Sequence, residues 1–143
     1  MAAAAIVVAA ALILFVHSRN SSASLPNLSS ASNQSLFTRV GQNGPTFTVG
    51  VPRAKAPDDE YLMRVAEQLS AEEIQAGGSG QISVMIWPDD VPVPKEPPTT
   101  EFDASMKTQT AGVFINPKLN IKHLIRFRDG ATVAEQDFGR PTR

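Results

Sequence analysis

Cysteine is absent from all 143 residues, which removes disulfides, thiolate metal ligands, cysteine nucleophiles and lipid attachment to an N-terminal cysteine at once. Histidine is nearly as scarce: His17 and His123 stand far apart, so no imidazole spacing of the zinc type exists. Neither sign of charge is concentrated. Thirteen Lys and Arg offset fourteen Asp and Glu, for a net charge of -1, and their scatter excludes both a nucleic-acid footprint and an acidic tail. No cofactor fingerprint is present either. Gly77-Gly78-Ser79-Gly80 has the composition of a phosphate loop, but it follows a helix and precedes a strand, the reverse of the order that aims free amides at a phosphate. The expectation is a chain with no metal, no cofactor and no nucleic-acid partner.

One stretch lacks charge altogether. Met1 to Val16 carries no charged or polar side chain, and a helix from Ala2 to Val16 would reach roughly 22 Å, short of the roughly 30 Å hydrocarbon core of a bilayer. That length fits a signal sequence or a short anchor, with the membrane as the partner of Ala2 to Val16. Ser22-Ala23-Ser24 offers small residues at alternate positions, as a signal peptidase requires. Arg19 follows the apolar run and no basic residue precedes it, so a literal positive-inside count would leave the head in the cytoplasm. Export is the leading expectation and the cytoplasmic face the alternative.

Composition divides the chain into a hydrophobic segment at 1–19, a Ser/Asn-rich flexible tether at 20–44, a single domain at 45–136 and a loose tail at 137–143. Within the domain, Thr46 to Val51 alternates apolar and small polar residues and reads as a strand. Pro57-Asp58-Asp59-Glu60 has the proline and carboxylates of a helix start, and Leu62, Val65, Ala66 and Leu69 recur at helical spacing, which predicts a helix from about Pro57 to Gln75. Gln81 to Trp87 is apolar on both faces and reads as a central strand. Pro88 to Pro98 is too proline-rich to pair and reads as a long loop containing a minimal PxxP at Pro94 to Pro97. Gln109 to Ile115 and Asn120 to Phe127 flank a proline turn as a hairpin, and Asp129-Gly130 can open another towards Ala131 to Glu135.

The expected class is α+β: a small, mostly antiparallel sheet of about four strands in the order β-α-β-β-β, with one amphipathic helix on one face and a hydrophobic helix in front. A crossover through the amphipathic helix would set the strands at Thr46 and Gln81 parallel.

Few residues stand out for chemistry. Asp89 and Asp90 follow a strand end, where loops often carry sites, and Trp87 just before them could stack on a ligand. His123, on a strand, could serve as a general base. No serine sits in a Gly-x-Ser-x-Gly elbow, so no catalytic residue is assigned and Trp87, Asp89, Asp90 and His123 remain binding candidates. Lys122, Arg126 and Arg128 form a basic stripe that could meet lipid headgroups or an acidic partner. The functional expectation is a noncatalytic, membrane-tethered or exported head that contacts another protein. Its rival is a small exported hydrolase gathering Asp89, Asp90 and His123, and a further alternative is a cytoplasm-facing subunit of a membrane complex.

Overall fold

A computed structural model describes residues 35–100 and 103–139. The hydrophobic segment 1–19, the tether up to residue 34 and the last four residues lie outside the described residues. The remainder forms six strands and one helix: β1 (Thr38–Asn43), β2 (Thr46–Val51), α1 (Asp59–Gln75), β3 (Ile82–Pro88), β4 (Ala111–Asn116), β5 (Ile121–Arg128) and β6 (Ala131–Asp137). All six strands join one sheet in sequence order, parallel between β2 and β3 and antiparallel elsewhere. The α+β class and the parallel β2–β3 pair agree with the sequence. Four strands was an undercount.

The extra strands are the two edges. Residues 38–43, which composition assigns to the tether, form β1, because Gly44 at φ +55° and Pro45 close a tight loop that folds this polar segment back onto β2. Phe37, just before it, is buried in the core. At the other end β6 extends to Asp137, and the Phe138 amide donates to the Lys122 carbonyl at 2.8 Å, so the expected tail is tied to β5 through residue 138. Asp129 and Gly130, both at positive φ, make the turn that Asp-Gly favours.

α1 begins two residues after the expected Pro57. Asp58 caps it by accepting from the Tyr61 amide at 2.9 Å. Leu62, Val65, Ala66 and Leu69 are fully buried against Phe47, Val49, Val51, Ile82, Val84, Ile86, Val113 and Leu124. Ladder partners share a face, and this set places one row of every strand from β2 to β5 beneath the helix. The opposite face is covered only in part. The proline-rich connection after β3 lies across β1 and β2, where Thr48 Oγ1 donates to the Pro94 carbonyl at 2.6 Å. A short 3-10 turn at Ala104–Lys107 closes over the end of β3. Among the described residues, no other segment covers this face.

Candidate functional site

Trp87 is fully buried, and its Nε1 donates to the Ser105 carbonyl at 2.8 Å. It therefore offers no stacking surface to a ligand. The 104–107 turn uses the indole as its floor and satisfies the one polar group on the ring. Asp89 and Asp90 are exposed beyond the end of β3, with the Asp89 amide donating to the Val51 carbonyl at 2.8 Å. Asp90 is engaged by the Nε of Arg53. That hydrogen bond holds the Asp90 carboxyl below its ordinary range and raises the Arg53 guanidinium.

His123 lies elsewhere. It pairs with Phe114, which pairs with Ser83 at the start of β3. Two strand spacings across and six residues along separate it from Asp89 by roughly 20 Å. The aspartates and the histidine share no cleft, so the hydrolase built on Asp89, Asp90 and His123 has no geometry to work with.

The register instead gives His123 two carboxylates of its own. Asp137 stands directly opposite on β6, with its Oδ1 at 2.6 Å from Nδ1, and Glu135 Oε2 lies 3.6 Å from Nε2. The Phe138 amide bond to the Lys122 carbonyl makes 122 and 138 a hydrogen-bonded pair, so His123 and Asp137 form the adjacent non-hydrogen-bonded pair, in which side chains approach most closely. Phe114, Asn120, Ile121, Lys122, His123 and Asp137 border an open cleft of about 370 Å³ here.

The same face continues from this cleft as a partly exposed apolar strip. Met85, Gly112 and Ile125 lie side by side across β3, β4 and β5, followed by Glu135 on β6. A Cβ on Gly112 would come within 3.4 Å of the Phe127 ring, which shows that this ring leans over the glycine. Phe114 and Ile125 are each partly exposed beside His123. The opposite face treats its charges differently. Lys122 donates to Glu67 at 2.6 Å, and Arg126 Nε donates to Asp59 Oδ1 at 2.7 Å while its Nη1 reaches the Ala56 carbonyl. Two members of the basic stripe thus point at the helix and bind its carboxylates, so it presents no basic surface beyond Arg128.

Among the described residues, no group of three His, Asp or Glu side chains is arranged to hold a metal ion, and no helix is long and apolar enough to cross a membrane. No family model, curated protein or solved structure matches the chain. The partly uncovered sheet face, bordered by the edge of β6 that no described strand pairs with and by the carboxylates beside His123, is the candidate site. Of the four binding candidates read from sequence, Trp87, Asp89, Asp90 and His123, His123 lies at this site, and its carboxylate partners arrive through a register that strand periodicity does not reveal.

Proposed function

We propose that this chain is a membrane-tethered or exported interaction module whose α+β head contacts another protein through the sheet face opposite α1. The observation that carries this reading is the uneven cover of the sheet. Where α1 buries a continuous row of side chains from β2 to β5 on one face, the proline-rich connection and the 104–107 turn leave Met85, Phe114, Ile125 and Phe127 partly exposed on the other. Apolar side chains held on a rigid strand surface and rimmed by charge suit protein recognition, and they need no reactive group to act.

The tether belongs to the same reading. An uncharged run from Ala2 to Val16 favours lipid, and the Ser/Asn-rich stretch behind it gives the head reach. Alkaline carbonate extraction of cells expressing the full chain tests this. Full-length protein is expected in the membrane pellet, or a shortened form outside the cytoplasm if the leader is removed. A full-length product found entirely in the cytosolic fraction would overturn the tether. Protease added to spheroplasts then separates the two orientations, because the exported head is digested and the cytoplasm-facing head, favoured by Arg19 alone, survives.

A further inference from the structure

We propose that the outer edge of β6 accepts an extended segment of a partner protein as a seventh strand, and that the segment carries basic residues at alternate positions. This deepens the interaction-module reading by naming the surface and the chemistry of the partner. The argument begins with which backbone groups are free. Because 122 and 138 form a hydrogen-bonded pair, the amides and carbonyls of Ala134, Gln136 and Phe138 turn inward to β5. Those of Glu135 and Asp137 therefore point outward, and among the described residues no strand lies beyond β6. β6 is exposed along all seven residues, so these outward groups meet no strand partner among the described residues.

Charge selects the occupant. Glu135 and Asp137 project on the open sheet face with side chains 57% and 63% exposed, and among the described residues His123 is the only cation-capable group within ion-pair distance of either. A strand added outside β6 places its same-face residues beside these two carboxylates, where Lys or Arg at alternate positions forms cross-strand charge pairs. The same geometry argues against a second copy of this chain. A register shift at Arg126/Phe127 leaves residue 133 unpaired with β5, so the regular ladder runs from Ala134 to Asp137. Self-pairing centred on that half sets Glu135 directly against Asp137 of the other copy, twice over, and like charges in that position repel.

Two labelled peptides distinguish the possibilities, one alternating lysine with valine and the other alternating glutamate with valine, each titrated by fluorescence anisotropy into the full chain held in detergent micelles. The lysine peptide is expected to bind and to slow hydrogen exchange at the outward amides of Glu135 and Asp137. Glu135→Gln combined with Asp137→Asn should weaken that binding about tenfold, the effect of two cross-strand charge pairs. Glu135→Pro removes an outward donor that β5 does not use and should abolish binding. If that variant fails to fold, the charge-neutral double variant still decides the matter.

Equal binding of both peptides, no binding of either, or unchanged exchange at Glu135 and Asp137 would overturn the proposal. Protection of those amides that rises with protein concentration in the absence of peptide would replace the basic strand with a second copy. Failure here with the chain still in the carbonate-resistant membrane fraction refutes the edge alone, whereas a cytosolic chain that binds the peptide refutes the tether alone.

Discussion

Asp103 shows how one side chain can hold a segment in place. Its carboxylate accepts from the Ser105 amide at 2.9 Å and from the Ser105 hydroxyl at 2.6 Å, and the Ser105 carbonyl in turn receives the Trp87 indole N–H. The Ser105 hydroxyl, followed by its amide, holds the Asp103 carboxyl below its ordinary range. The folded pKa then lies beneath the unfolded one. The stabilisation is complete above the ordinary carboxylate range and is lost as pH falls through the lowered folded value. An acid titration followed by the NMR signal of the Trp87 indole N–H should therefore show a transition on the acid side of a free aspartate, and Asp103→Ala should remove it. An indole signal that ignores pH in the wild-type chain would mean that the turn is held by packing alone. None of this was legible from residue types. Trp87 next to Asp89 and Asp90 reads as a ligand platform in sequence, because the segment that buries the indole arrives from beyond a long proline-rich loop. Arg53 and Arg126 also differ in their surroundings. One meets an exposed aspartate, while the other is pinned beneath the helix with its side chain only 15% exposed.

At the level of elements, helix and central strands were readable because each carries a period that burial enforces. α1 buries Leu62, Val65, Ala66 and Leu69 at helical spacing, and β3 buries Ile82, Val84 and Ile86 at strand spacing. β1 was not readable in that way. Thr-Arg-Val-Gly-Gln-Asn is polar on both faces, and it becomes a strand because Arg39 can stack over Phe47 and pair with Glu72 while Gly41 lies against the proline-rich connection. The turn signal was present in Asn43-Gly44, but an apolar period was missing. Gly41 supplies the test of this element. A Cβ there would overlap the Lys95 carbonyl oxygen and sit 2.9 Å from Thr48 Oγ1, so the backbone has to move. Gly41→Ala is expected to lower stability by about 1 to 3 kcal/mol in urea unfolding, as overpacking does. The Thr48 hydroxyl should also lose its bond to the Pro94 carbonyl, seen as faster exchange of the residues following β3. A variant as stable as wild type would show that the connection only rests loosely on β1.

Across the whole molecule, protection and exposure run in opposite directions along the sheet. β3 is central, paired on both sides, and buries five of its seven residues, whereas β6 is paired on one side and is exposed throughout. Opening β6 sacrifices one ladder and little apolar contact, but opening β3 requires the helix and both neighbouring strands to separate. Local opening is governed by those losses, so the two strands should exchange their amides by different routes. In native-state hydrogen exchange, Ala134, Gln136 and Phe138, whose amides face β5, should exchange at least about tenfold faster than Val84 and Ile86. Their rates should also depend little on low concentrations of denaturant, because the motion exposes little surface. The β3 amides should follow global unfolding. If β6 instead matched β3 in rate and in denaturant dependence, the edge would have to be covered by something beyond the described strands, and it could no longer receive a partner without first releasing that cover. An edge that opens by itself while the helix-covered face stays closed can adjust to an incoming strand without disturbing the core, as the proposed capture of a segment by an intact head requires.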